Sequence, residues 1–572
     1  MHQVKNTLGV TISRQYLWDN LPESCYLIQE PDANVVNVLN EEFKTWCCVQ
    51  PVMIAAPTGS GKTSFVVQIA QYCHQHSPRK WVLLLVNRKA IAVQQRQIFA
   101  SALASKYAKI SDPDVFELFE VLDDIGVIIT TYQGFAAHHD NFPLDQIEWV
   151  IFDEAHVFHA DSLINAQIDQ LFWKLPQLFN NTHRLYLTAT PDSVIHDICE
   201  AEQCNLAACA SCPRSFCCGK GKLLYYKFPS RSRHVDLRYF RDRSEITKMI
   251  TDNPQDQFLI FTSSREDILN PSNGSYSKLL SESGISYGYL DADSKGSPLW
   301  KTICKNGVFD SQVLIATSVL DCGINLVSPR LRHIIVETCE QTEFLQMIGR
   351  RRLQTDDSIN VYVRAYTATA VQRLLDSVNR QRRFIQQASQ MIHSGQMDKL
   401  IYNGWMDETL PRPYKHLLNY LGKGAVLPKR TAGNYLIWQR VHLERLLDLF
   451  TLYGDDSAVP RMAHKWLEQE DGYSINRWLD YDHKSQIKSE LLTMLAESAN
   501  TTFSKAEIQP VIKNILGLIN SIQPFPHDTH SKTNRTATTV NKRLQSLHIP
   551  YEFLKAGKGS TATFTLIRNG EV

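Results

Sequence analysis

The chain has no long apolar run. Its longest strongly apolar stretch is Trp81 to Val86, six residues where a bilayer-crossing helix takes about twenty, so no membrane-spanning helix is expected. An excess of one charge is missing too. The 60 basic and 59 acidic residues leave a net charge of +1, which makes no global case for a polyanionic partner. Met1 to Leu21 mix His2, Lys5, Arg14 and Asp19 with apolar residues and lack the apolar core of a secretory leader, so an intracellular protein is expected. Its thirteen cysteines are then expected to be thiols or ligands rather than disulfides. There is no solenoid-type repeat and no recognisable nuclease motif. At 572 residues, with 43% hydrophobic and 21% charged, the chain is too long for a single core and too apolar to stay disordered.

The first two thirds alternate short apolar strands with helical stretches, the rhythm of parallel sheets. Expected strands are Val52 to Ala55, Trp81 to Val86, Val127 to Thr130, Trp149 to Phe152 and Arg184 to Leu187. A second series is expected from Leu223 to Phe228, continuing with Phe258 to Phe261, Val313 to Ala316, His333 to Val336 and Asn360 to Val363. After about Ala365 helical patterns take over, at Ala370 to His393, Asn434 to Tyr453 and Ser485 to Ser498.

Between the strand ending at Ala55 and a helix beginning near Ser64 stands Ala56-Pro57-Thr58-Gly59-Ser60-Gly61-Lys62-Thr63. Small residues there let backbone N–H groups curl around phosphates. Lys62 can neutralise the terminal phosphates and Thr63 can ligate Mg²⁺. The usual pattern begins with Gly, and here that position is Ala56. A buried strand then delivers Asp153 and Glu154 together. One carboxylate, Asp153, can hold the metal shell while Glu154 polarises a water for attack on the γ-phosphate. Asp-Glu after an apolar strand is alone often just a solvated strand end, but together with Lys62 earlier in the chain it makes ATP with Mg²⁺ the expected cofactor.

These residues carry a resemblance to superfamily 2 helicases of the DEAD/DEAH type, from about Cys25 to Ala365. Asn87-Arg88-Lys89 with Gln94 resembles motif Ia, Thr130 to Gln133 motif Ib, Asp153-Glu154-Ala155-His156 motif II and Thr188-Ala189-Thr190 motif III. Phe261 to Arg265 resembles motif IV, Ala316 to Asn325 motif V and Gln346 to Arg352 motif VI. The resemblance implies an α/β fold of two tandem RecA-like parallel-sheet domains, with ATP in the cleft between them and a nucleic-acid strand across both. It implies Lys62, Asp153, Glu154, Gln346 and Arg350 as catalytic residues, and Asp321 and Gly323 beside the phosphate loop as ATP contacts. His156, Thr188 and Thr190 would couple the site to the strand, which Arg88, Thr131, Ser263 and Thr317 would touch. Motif VI departs from the commoner pattern, having Arg352 and Leu353 where Gly and Arg usually stand, so a second arginine finger stays open between Arg351 and Arg352. Gln29 resembles the glutamine that some members use to read adenine; it is equally a residue type found at the start of a surface helix.

Six cysteines cluster between 199 and 218, and only Cys209 and Cys212 have the two-residue spacing of paired metal ligands. Cys204, Cys209, Cys212 and Cys217 or Cys218 could hold zinc or an iron–sulfur centre, or simply be free thiols. At the other end, Ser531 to Val572 holds seven basic residues against Glu552 and Glu571, a local net charge of +5. The amphipathic Ser504 to Asn520, the basic Thr538 to Leu547 and two strands around Lys558 give a winged-helix pattern, which would place Lys542 and Arg543 in a groove and Lys558 on phosphate. Small winged domains also serve as protein-interaction pieces. The expected organisation is an N-terminal segment 1–40, a first ATP-binding domain 41–198, a Cys-rich insertion 199–221, a second domain 222–368, a helical region 369–500 and a winged helix 501–572. The expected function is an ATP-dependent helicase or translocase favouring DNA. An RNA helicase and an ATP-gated nucleic-acid sensor without turnover remain the alternatives.

Overall fold

The computed structural model describes residues 2–5, 11–14, 24–30, 33–106, 119–163, 166–203, 223–230, 234–262, 274–294, 296–317, 320, 325–351, 357–395, 416–421, 425–469, 472–522, 536–547, 549–557 and 561–568. They form two compact units, Met1–Tyr473 and Ser474–Val572. The first unit holds two parallel-sheet lobes of the RecA-like kind and a helical region.

Lobe one is built on β1 (His2–Lys5), β2 (Thr11–Arg14), β3 (Ser24–Ile28), β4 (Val52–Ala55), β5 (Trp81–Val86), β6 (Phe119–Leu122), β7 (Val127–Thr131), β8 (Ile147–Phe152), β9 (His183–Thr188) and β10 (Leu224–Lys227). Their order in the sheet is β1-β2-β3-β10-β4-β9-β8-β5-β7-β6, parallel from β3 to β7. The strands read as continuous apolar runs because both faces are covered. In β4, Val52 and Ile54 enter one core with Phe65 and Phe99, while Met53 and Ala55 enter the other with Phe135 and Phe158. This is the period of two expected of a strand buried on both sides.

Two expectations on organisation need correcting. Leu223 to Phe228 does not open the second series, because β10 inserts between β3 and β4 and closes the first sheet. Nor are residues 1–40 a separate segment: β3 pairs with β10, and Ile28, Val35 and Leu39 belong to the core of lobe one. A strand's apolar pattern shows that it is buried but not which sheet receives it.

Lobe two starts at β11 (Val235–Phe240) and adds β12 (Gln257–Phe261), β13 (Tyr287–Leu290), β14 (Val313–Ala316), β15 (Leu331–Val336) and β16 (Ile359–Arg364). It is parallel throughout, in the order β11-β16-β15-β12-β14-β13. Two long helices, Ala368–His393 and Arg430–Tyr453, follow and pack on each other, separated by a small hairpin of β17 (Leu418–Leu421) and β18 (Ala425–Pro428).

The second unit begins at 474, not 501. Leu491 and Leu495 of the helix Tyr481–Glu497 share one core with the helices Ile508–Ile522 and Ala537–Ser546. A three-stranded antiparallel sheet completes it, β19 (Thr502–Ser504), β20 (Tyr551–Ala556) and β21 (Thr563–Arg568), in the order β19-β21-β20. The Tyr481–Glu497 pattern continues a helical run, and amphipathicity does not name its partner.

One buried ion pair ties lobe one together. Arg184 on β9 donates from Nε to Glu202 at 3.0 Å, and its terminal nitrogens donate to the carbonyls of Cys48, Phe179, Thr182 and Val49. Both side chains are essentially inaccessible, at 2% and 0%. Removing one partner strands the other charge, so Arg184→Ala is expected to destabilise lobe one by about 3–5 kcal/mol. Urea unfolding followed by circular dichroism checks it; a midpoint equal to the parent's would show that the pair carries no such burden.

Candidate nucleotide site between the lobes

β4, β9 and β8 are neighbours, so their carboxyl ends deliver three short segments side by side. After β4 comes Ala56 to Thr63; after β9, Ala189 and Thr190; after β8, Asp153 to His156. Gly61 caps the helix Lys62–His76 with φ +89°, a left-handed conformation that costs glycine little. It also has company. A Cβ there would collide with the Asn34 side chain, which caps the short helix Val35–Leu39 by accepting from Val36 N at 2.9 Å, and Val35 N donates to Ser60 O at 2.8 Å. The chain before β4 therefore braces the loop.

Lys62 Nζ donates to the carbonyls of Ala56 (2.6 Å) and Pro57 (3.2 Å), which folds the ammonium over the concave side of the loop. Thr63 Oγ1 accepts from Gln95 Nε2 at 3.4 Å. The acidic turn is pinned on both sides, Asp153 N donating to Leu85 O (2.9 Å) and Ala155 N to Leu187 O (2.8 Å), while Tyr132 Oη donates to Asp153 O (2.8 Å). Glu154 takes φ +52°, unusual for a residue with a side chain and worth about 1–2 kcal/mol of strain. The pinned neighbours hold that conformation.

Burial and the adjacent Glu154 push the Asp153 carboxyl up from its ordinary value, against the pull of Lys62. Burial also opposes ionisation of Glu154. There, however, Lys62, His156, Arg350 and the Gln346 amide outweigh it and hold the carboxyl below its usual range. The two acids thus differ in character because of what faces them. His156, lowered by burial, lies with Nδ1 3.1 Å from Thr188 Oγ1 and 3.4 Å from Glu154 Oε2; Thr190 N donates to Thr188 Oγ1 at 3.0 Å. The structure therefore brings His156, Thr188 and Thr190 together behind the acidic turn.

Lobe two reaches the same place. Its helix Gln341–Ile348 ends at Gly349, where a Cβ would stand 2.8 Å from Thr58 Oγ1 of the loop, and Gln341 Nε2 donates to Asp192 Oδ2 at 3.2 Å. Arg350 is 2% exposed, its guanidinium donating to Gln346 O (2.8 Å) and Oε1 (2.6 Å), and its charge is felt by Glu154. Arg351 pairs with Asp357 at 3.2 Å and donates to Leu331 O; Arg352 lies outside the described residues. A cavity of about 320 Å³ opens at the junction, walled by Pro57 to Gly59, Thr190, Gly349 and Trp466 among others. Ser60 Oγ of the loop, Thr190 Oγ1 of the cavity wall and Glu154 Oε2 of the acidic turn are buried with no well-aligned hydrogen-bond partner among the described residues. Such atoms fit a polyanionic ligand with its metal and water, which would supply what they lack.

Other expected site residues fall elsewhere. Gln29 follows β3, is exposed and does not line this cavity. Arg88 makes a two-point ion pair with Asp161, at 2.6 and 3.2 Å. Thr131 is buried and caps the helix Tyr132–His138 by accepting from Gly134 N. Thr317 is half-buried at the end of β14 and its N–H donates to Leu290 O. In the second unit Lys542 is exposed and Arg543 half-buried on the helix Ala537–Ser546. Ser263, Asp321, Gly323, Lys558 and the cysteines 204, 209, 212, 217 and 218 lie outside the described residues. Among the described residues no group of three or more His, Cys, Asp or Glu side chains could hold a zinc-type ion, and no helix is long and apolar enough to cross a membrane.

Residues 30–193, which contain the loop and the acidic pair, match the family model described as type III restriction enzyme, res subunit. Residues 30–193 belong to the superfamily 2 helicase-type ATPases. No curated protein matches the chain. Among solved structures it is similar to S. cerevisiae Dbp5 bound to RNA and ADP BeF3, at 15% identity and TM-score 0.39, covering 55% of this chain and 79% of that one. Mycobacterium smegmatis helicase Lhr bound to ssDNA and AMP-PNP gives 17% and 0.37, over 68% and 57%. A fragment of a putative HsdR subunit of a type I restriction enzyme from Vibrio vulnificus gives 15% and 0.36, over 55% and 60%. Similarities at this level carry no argument; the family match and the loop geometry do.

Asn34, Gln95 and Tyr132 were not legible as site residues, since each reaches the loop or the acidic turn from a different element. The Gly61 crowding makes a direct test of the helicase-type site. Gly61→Ala forces a strained φ and a clash with Asn34, and is expected to weaken binding of a fluorescent ATP analogue about 5- to 30-fold, the equivalent of about 1–2 kcal/mol of backbone strain. Parental affinity in that variant would show that the loop does not cradle the phosphates.

Proposed function

We propose that the protein is an ATP-dependent nucleic-acid motor, a helicase or translocase of the DEAH type that works on DNA. The observation that carries the reading is Glu154: a half-buried carboxylate whose Oε2 is shut away from solvent without a well-aligned partner, held below its usual range by Lys62 from its own lobe and by Arg350 from the opposite one. In this reading the turn from Ala56 to Thr63 cradles the phosphates, with Thr63 and Asp153 as the Mg²⁺ ligands. Mg²⁺-ATP supplies the transferable phosphoryl group. Lys62 neutralises charge on the terminal phosphates. Glu154 Oε2 has no well-aligned partner and is the atom that orients the attacking water. Arg350 moves from Gln346 to the developing charge, a contribution of about 10³–10⁵ in rate for an arginine of this kind. Arg351, already paired with Asp357, is the poorer finger. His156, Thr188 and Thr190 form the hydrogen-bonded chain by which a strand lying on the lobes would feel the acidic turn.

DNA is preferred for two reasons. The helix Ala537–Ser546 presents exposed Lys542 beside a short antiparallel sheet, in the helix-and-hairpin order of a winged helix. The family that matches residues 30–193 is named for a restriction enzyme subunit.

Phosphate release with and without single strands tests the motor. Lys62→Ala is expected to abolish stimulated hydrolysis, and Glu154→Gln to slow it about 10²–10⁴-fold while still binding nucleotide. Turnover at the parental rate in either variant would refute the site assignment, and an inert parent that binds strands only with ATP would make it a gated sensor. Matched DNA and RNA oligonucleotides as competitors decide the substrate. Lys542→Ala is expected to weaken DNA binding and to reduce the salt slope by about 1; an unaltered salt dependence would remove this helix from the interface.

A further inference from the structure

Outside the nucleotide cleft, a continuous run of contacts in the first unit follows the helix Arg430–Tyr453. Near its start it meets lobe one just behind the acidic turn. His159 lies three residues after His156 and its N–H donates to the His156 carbonyl at 3.0 Å. Its ring nitrogen Nε2 sits 2.7 Å from Asp197 Oδ2, and Asn434 Nδ2 donates to the other oxygen of Asp197 at 2.7 Å. His159 and Asp197 are 2% and 4% exposed, so Asn434 from the long helix completes a pair that water does not reach. The Tyr435 ring packs on His159 with centroids 5.6 Å apart.

Further along, the same helix meets lobe two. Tyr435, Trp438 and His442 stack in succession, at 5.9 and 5.5 Å with interplanar angles of 11° and 13°. His442 stacks on Trp466 at 5.6 Å, and Trp466 packs on Phe344 at 5.2 Å. Phe344 is fully buried on the helix Gln341–Ile348, six residues before Arg350. His442 Nε2 lies 3.0 Å from the carbonyl of Cys339, just ahead of that helix. Burial lowers the His442 pKa to about 4, so the ring is neutral and Nε2 is its donor.

We propose that the helix Arg430–Tyr453 is a rigid spacer that sets the lobe separation at which Arg350 confronts Glu154, with Asn434 and His442 as positioning residues at its two ends. The inference rests on the ATPase reading for its catalytic consequence but not for its geometry. Eight residues separate the two anchors, which at 1.5 Å per residue is about 12 Å of helix. A helix packed along its length resists change in that distance, whereas either anchor can be loosened without touching the phosphate loop. With Asn434 gone, Asp197 loses one of its two donors. With His442 gone, the aromatic stack is broken and the Cys339 carbonyl loses its donor.

The test uses the full chain with three substitutions. Asn434→Ala and His442→Leu are expected to lower kcat for strand-stimulated hydrolysis about tenfold or more while leaving KM for ATP and the binding of a fluorescent nucleotide near the parental values. His442→Gln, which restores the N–H donor but not the stacked ring, is expected to recover part of the loss. Hydrogen exchange gives a readout that needs no turnover. Among the described residues the Asn434 side chain bonds only to Asp197 of lobe one, so if the helix transmits, Asn434→Ala will also deprotect Gln341–Ile348 in lobe two. The proposal is overturned by unchanged kcat in both deletions, by Gln performing no better than Leu at 442, or by exchange in Asn434→Ala that changes only around Ile195–Gln203. Should the parent prove inert toward ATP, the ATPase reading falls, and the exchange pattern alone then decides the spacer.

Discussion

The structure depends on what it takes to gather several charges where little water reaches them. Lys62, Asp153, Glu154 and Arg350 converge where two lobes meet, and burial penalises each of the carboxylates. Neither lobe can satisfy this cluster alone. Lobe one supplies two acids and one ammonium; the guanidinium that completes the balance comes from the other sheet. Electrostatics thereby becomes a reason for the lobes to close, and the same closure assembles a site for chemistry on a phosphate chain.

The strained turn at Glu154 shows how the fold serves that cluster. A left-handed residue is tolerated because its neighbours are tied to β5 and β9, so the strain is held by the sheet rather than by the turn itself. The sheet order does the rest. By placing β9 between β4 and β8 it sets Thr188 and Thr190 between the phosphate loop and the acids, where a hydroxyl can answer to both.

What could be read in the sequence was what is local. The loop from Ala56 to Thr63 and the Asp153-Glu154 pair are short, follow apolar strands and carry their chemistry in their own spacing. Parallel-sheet lobes were legible for the same reason, as apolar runs between helical stretches. The illegible parts are pairings. Nothing in Leu224–Lys227 says that it returns to the first sheet, and nothing in Asn34 or Gln95 says that it meets the loop. Arg88 and Thr131 have residue types suited to a strand contact, yet both have partners within lobe one, in Asp161 and in Gly134. A sequence shows what a side chain can do, and burial decides what it is already doing.

The return of β10 to the first sheet has a mechanical consequence. Lys227 is paired with Ala55, the last residue before the phosphate loop, and β11 of the other lobe begins at Val235. On the described residues either side of the crossing, Ser230 of lobe one and Val235 of lobe two both border the cavity beside the phosphate loop. A pivot placed there moves the loop hardly at all, while points far out on lobe two sweep through long arcs. A small rotation about that point is thus geared up into large travel at the periphery of lobe two.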